Sequence, residues 1–114
     1  MELILGGAYQ GKLTWAVRQF GLTSDDLCDL AERDPVPGKR CYFHLEAYTR
    51  RTAQPQLALF GDGIVISREI GSGVVPIDPQ ERLWRERHGA FLQKIAANST
   101  RVTRIFCGLA EALK

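Results

Sequence analysis

The 114-residue sequence lacks most of the features that would assign it to a specialised class at once. It has only three cysteines, Cys28, Cys41 and Cys107. They form no C-x-x-C pair and no metal-spaced set, which excludes a disulfide scaffold and points to a reducing, cytoplasmic compartment with thiols as small core groups. No apolar run approaches the length of a membrane span, and "MELILGG" is a strand's length of apolar residues rather than a signal peptide. A net charge of +2 is too small to argue for nucleic acid or membrane partners. There is no internal repeat, low-complexity tract or dividing linker. What remains is an ordinary apolar share, 45%, in a chain long enough for one domain with its own core.

Within that composition, "ELIL" at 2–5 reads as a short strand running into glycines. In "KLTWAVRQF", 12–20, Leu13, Ala16, Val17 and Phe20 fall at helical spacing, with Gly21 as the stop. "LTSDDLCDL" supports either a short helix capped by Thr23 or Ser24, or a second parallel strand. "RDPVPGKR" is loop. Residues 41–52 place Cys41, Leu45, Tyr48 and Thr52 on one side of a helix, and "QLALF" is undecided. "GIVIS", 63–67, has three consecutive β-branched residues, as suits a strand covered on both faces. Asp78, Pro79 and Glu81 supply a cap, a first helical residue and a reciprocal acceptor for a helix to about 97. Trp84, His88, Phe91, Leu92, Ile95 and Ala96 form its apolar side. "RVTRIFCGL" is the last strand, ended by Gly108, and "AEALK" a tail. Strands separated by helices favour a mostly parallel sheet with helices on both faces.

The chemistry-bearing stretch is "GGAYQGKLTW". Gly6, four residues, Gly11 and Lys12 satisfy the first seven positions of G-x-x-x-x-G-K-[ST]. Glycines let successive N–H groups converge on an oxyanion, the following helix start adds positive potential, and Lys12 would reach the outer phosphates. Gly6, Gly7, Ala8, Tyr9, Gln10, Gly11 and Lys12 would form the cup, with Leu13 and Thr14 opening the helix. Leu13 has no oxygen for Mg²⁺, and one helical step turns Thr14 about 100° away. The alternative is a tight turn whose glycines merely permit close strand–helix contact.

Two separated stretches, "ILGGAYQGK" and "REIGSGVVPIDPQERLWRERHGAFLQKIA", the latter closed by "IFCGLAEALK", resemble the bifunctional adenosylcobinamide kinase and adenosylcobinamide-phosphate guanylyltransferase family. The likeness covers about the first 20 and last 50 residues. Gly6, Gly7, Gly11 and Lys12 match the phosphate loop. Glu69, Gly71, Gly73, Val75 and Pro76 match the second segment, where Arg68 replaces an asparagine. Arg82, Arg85 and Gly89 lie in the matching helix, and Gly108, Leu113 and Lys114 in the matching tail. The resemblance implies a P-loop nucleotide-binding α/β three-layer sandwich, reduced in its middle, that assembles as a homo-oligomer late in cobalamin synthesis. It implies ATP or GTP with Mg²⁺, adenosylcobinamide or its phosphate as acceptor, and transfer through a guanylylated histidine. Lys12 and Glu69 are the catalytic candidates and Glu69 the metal candidate. Leu13 in place of the loop serine and the short middle would weaken or remove activity.

Other residues have competing interpretations. Imidazole is a nitrogen nucleophile near neutral pH, so His44 can attack a nucleotide's α-phosphate. Its surroundings, "CYFHLEAY", read as helix, and no covalent role is carried over to it. His88 falls on the apolar side of its helix, as a packing or local hydrogen-bonding group. Glu69 closely follows a strand, where open α/β sheets gather ligands, although Arg68 can simply neutralise it. Arg82 and Arg85 can meet phosphate in a neighbouring subunit, or pair with Glu81 and Glu86.

Overall fold

The computed structural model describes residues 1–8, 10–70 and 77–114. Six strands form one sheet: β1 (Glu2–Gly6), β2 (Leu27–Asp29), β3 (Cys41–Phe43), β4 (Ile64–Arg68), β5 (Arg101–Phe106) and β6 (Leu109–Ala112), in the order β2-β3-β4-β1-β5-β6. All pairings are parallel except β5 with β6. Three helices flank it: α1 (Lys12–Phe20), α2 (Leu45–Arg51) and α3 (Pro79–Asn98). This is an α/β fold with a mixed, mostly parallel sheet. No helix among the described residues is long and apolar enough to cross a membrane.

The alternation of side chains along each strand divides the core in two. Ile4, Cys41, Ile64, Ile66 and Ile105 face α1 and pack with Ala16. Leu3, Tyr42, Val65 and Val102 point the other way and meet Leu45 and Tyr48 of α2 and Phe91 and Ile95 of α3. Central β4 is buried from Ile64 to Ser67 because helices cover both its faces. Its β-branched run is therefore the product of double coverage.

The glycine-ended first helix forms where expected. Gly11 (φ 85°) precedes it, and Gly21 (φ 62°) closes it with its N–H on the Val17 carbonyl. Between α1 and the proline loop, both alternatives are realised in miniature: a 3-10 turn, Ser24–Asp26, runs directly into β2. "LALF", 57–60, is a second 3-10 turn.

Three expectations need correction. The helix expected over 41–52 begins only at Leu45, because Cys41–Phe43 is β3, pairing with β2 on one side and β4 on the other. Helical spacing of Cys41 and Leu45 was coincidental, since both are buried in different layers. The tail "AEALK" supplies β6, an antiparallel edge strand turned back at Cys107 and Gly108. Finally, Asp78 caps α3 by accepting the Gln80 N–H at 2.9 Å, but Glu81 reaches Arg50 Nη1 at 2.6 Å instead of closing a capping box.

Candidate functional site

β1 and β4 are adjacent, but the chain leaves them in opposite directions. After β1 it crosses toward β2 by α1, and after β4 it crosses toward β5 by α3 on the other face. A crevice opens beyond the carboxyl ends of two such strands. Here it is a cleft of about 400 Å³ lined by Ala8, Gln10, Gly11, Lys12, Leu13 and Thr14 after β1, Phe43 at the end of β3 with His44 and Glu46 beyond it, and Ile66 and Arg68 of β4.

The glycine loop is held from behind by the β5–β6 hairpin. Gln10 Oε1 accepts the Cys107 N–H at 2.6 Å, and the Gln10 carbonyl accepts the Gly108 N–H at 3.0 Å. A Cβ on Gly6 would lie 2.6 Å from the Ile105 carbonyl oxygen, so only glycine fits there. Lys12 Nζ donates to the Gly7 carbonyl at 2.7 Å, folding back over the loop. Burial pushes the Lys12 pKa down; Glu46 opposes this, Arg68 adds to it, and Glu69 opposes it. Leu13 packs against the α1-side core while lining the cleft. Thr14, expected to turn away, also stands on the cleft wall. Tyr9 and Gly71–Pro76 lie outside the described residues.

Glu69 is not among the cleft-lining residues. Its N–H donates to the Gly6 carbonyl at 3.1 Å, and its carboxylate is 3.6 Å from Arg104 Nε. The acid on the cleft wall is Glu46, whose Oε1 accepts the Arg68 N–H at 3.0 Å. Glu46 was invisible to motif reasoning because no spacing links it to the loop; only the β3–α2 turn brings it there.

His44 stands in the same cleft as Lys12. Its backbone is left-handed (φ 61°), which ends β3 abruptly and starts α2. Such a conformation is uncommon outside glycine, and it clusters where side-chain direction matters. Parallel register sets Asp29 opposite Phe43, so Asp29 Oδ1 meets His44 Nδ1 at 2.7 Å. A carboxylate only accepts, so Nδ1 carries a proton, and in the neutral ring the lone pair is on Nε2. Asp29 is itself fixed by the Ala31 N–H at 2.9 Å. The helical surroundings that set His44 aside in the sequence are absent at 41–43.

His88 is structural, as expected. Fully buried, it lies 2.7 Å from Thr49 Oγ1 through Nδ1 and 3.0 Å from Ser67 Oγ through Nε2. Ser67 donates to the Arg68 carbonyl at 3.0 Å, and Trp84 Nε1 donates to Thr49 Oγ1 at 3.1 Å. Thr49 Oγ1 is also 3.3 Å from the Glu46 carbonyl; with the shorter contact to His88 Nδ1 taking the hydroxyl proton, donation runs from Trp84 through Thr49 and His88 to Ser67 and Arg68. The chain of bonds anchors the end of β4.

A model of the cobinamide kinase / cobinamide phosphate guanyltransferase family matches residues 40–113, well over half the chain. The chain belongs to this family. No curated protein matches it. The cobinamide kinase/guanyltransferase match begins at Arg40 and so contains His44, Glu46, Arg68 and Glu69, whereas the glycine loop lies outside it. Lys12 and the start of α1 stand beside the crevice, with Ala8, Gln10 and Gly11 on its wall. Mg²⁺ fits poorly there. The side chain after Lys12 offers no oxygen, the Thr14 hydroxyl is the neutral side-chain oxygen nearest it in sequence on the cleft wall, the one carboxylate there is flanked by Lys12 and Arg68, and no group of three His, Cys, Asp or Glu residues that could hold a metal occurs among the described residues.

Proposed function

We propose that this protein binds ATP or GTP with its phosphates along Gly7–Lys12 and transfers the nucleotidyl group by way of His44. The observation that carries the reading is the His44–Asp29 pair, 2.7 Å long, in the same cleft as Lys12. Asp29 fixes the ring tautomer so that Nε2 is the nucleophile. Nε2 attacks the α-phosphorus; an N–P bond forms, the bond from that phosphorus to the bridging oxygen breaks, and pyrophosphate leaves with the bond's electrons. Lys12 and the loop amides offset the charge on the departing group. An acceptor oxygen then attacks the same phosphorus, the N–P bond breaks, and His44 is restored. Family membership points to adenosylcobinamide phosphate as that acceptor. Glu46 and Glu69 favour the charged form of Lys12 rather than replace it.

The test is incubation with GTP or ATP labelled at the α-phosphate. An acid-labile, base-stable label should appear on the parent and be absent from His44→Asn, a substitution chosen because asparagine tolerates the left-handed backbone. No label on the parent, or undiminished label on the variant, refutes the mechanism. Leu13 favours a second reading, a non-catalytic nucleotide-binding regulator. That protein would bind nucleotide and never become labelled.

A further inference from the structure

Arg68 closes β4 and pairs in register with Gly6, so it stands beside the first glycine of the loop. Its backbone is fixed on both sides: the N–H donates to Glu46 Oε1, and the carbonyl accepts from Ser67 Oγ. Its exposed side chain lines the cleft with Lys12. The neighbouring Arg104 pairs with Glu69, whereas Arg68 forms no ion pair with a carboxylate among the described residues. It lies near enough to Lys12 to disfavour that ammonium's charged state. Two cations held together in a partly dry cleft repel each other; Glu46 and Glu69 both act on Lys12, but Glu69 is already paired with Arg104, so positive charge remains in excess. A polyanion relieves that repulsion. The residue that would present a hydroxyl to a metal is instead Leu13, committed to the α1-side core.

We propose that Arg68 acts with Lys12 as the second positive group on the nucleotide's phosphates, in place of a bound Mg²⁺, so that the cleft takes the metal-free nucleotide. This rests on the nucleotide reading of the cleft and adds to it a binding residue and a ligand form. Guanidinium suits the task, because its planar fork grips two phosphate oxygens at once and needs no protonation change. The metal-free nucleotide also carries the charge that Mg²⁺ would otherwise cancel.

Calorimetric titration of GTP and of ATP, each in EDTA and in excess Mg²⁺, into the parent, Arg68→Ala and Lys12→Ala decides the matter. The parent should bind in EDTA at least as tightly as in Mg²⁺. Arg68→Ala should weaken binding in EDTA about tenfold, with a smaller effect in Mg²⁺ and an unchanged melting temperature. A parent affinity about tenfold or more higher in Mg²⁺ overturns the proposal, as does an Arg68→Ala protein that binds like the parent in EDTA. In either case loss of binding in Lys12→Ala would leave the nucleotide reading intact. If the parent binds neither nucleotide in either buffer, the nucleotide reading fails and this proposal falls with it.

Discussion

Replacing His88 by glutamine isolates one buried titrating group. The imidazole is fully buried, and burial lowers its pKa from the ordinary 6.5, with a bond to the Arg68 carbonyl and the Glu46 charge opposing. The unfolded chain, whose histidine titrates near 6.5, therefore takes up a proton before the folded protein does. Stability is fully present above that pH, falls as pH drops below it, and stops falling below the depressed folded-state pKa. Within that window the slope can approach about 1.4 kcal/mol per pH unit. Glutamine can still accept from Thr49 and donate to Ser67 but does not titrate, so His88→Gln should remove this slope. Above pH 6.5 the cost should be about 1–2 kcal/mol from imperfect replacement of two buried hydrogen bonds. Leucine at the same position abolishes both bonds and should cost about 1–3 kcal/mol at every pH; Thr49 and Ser67 keep other partners, which limits the loss. Urea denaturation of the three proteins between pH 7.5 and 5 is the assay. The parent's advantage over His88→Gln should shrink steadily as the buffer becomes more acidic. A constant difference would show that His88 is not held neutral, and the assigned donation order through the chain of bonds would be wrong.

Two further substitutions test the site directly. Gly6→Ala places a methyl against the Ile105 carbonyl, a backbone atom that cannot rotate aside. It should cost about 1–3 kcal/mol in denaturation and weaken nucleotide binding by displacing the loop; a variant as stable as the parent would mean that the β1–β5 contact is looser than the structure shows. Asp29→Asn keeps the size of the side chain but replaces an acceptor-only carboxylate with an amide whose NH2 can donate to Nδ1, so the His44 tautomer is no longer fixed. Labelling from α-labelled nucleotide should slow at least about tenfold while nucleotide affinity is unchanged, and equal labelling rates would show that Asp29 does not orient the ring.

Several elements were legible because their signals are local. The glycine before α1, the apolar positions Leu13, Ala16 and Val17, and the stop at Gly21 all act within a few residues, and the helix formed at Lys12–Phe20. Asp78 and Pro79 start α3 for the same reason. Strand β3 was not legible. Three residues carry no periodicity, and their state depends on finding β2 and β4 on either side. The β6 edge likewise exists only because the Cys107–Gly108 turn folds it back on β5. β3 matters directly to the site: a helix over 41–52 would give His44 neither its exposed, left-handed corner nor its carboxylate partner.

The sequence by itself determined the strand, glycine loop and helix around Lys12, the doubly covered strand expected at 63–67 and formed at Ile64–Arg68, and the α/β class, because each follows from backbone preference or from a repeat along the chain. Tertiary structure alone decided which side chains share the cleft. Asp29 meets His44, and Arg68 stands beside Gly6, through parallel strand register. Register joins residues distant in the chain, and it is set by the packing of both sheet faces, which no local spacing encodes.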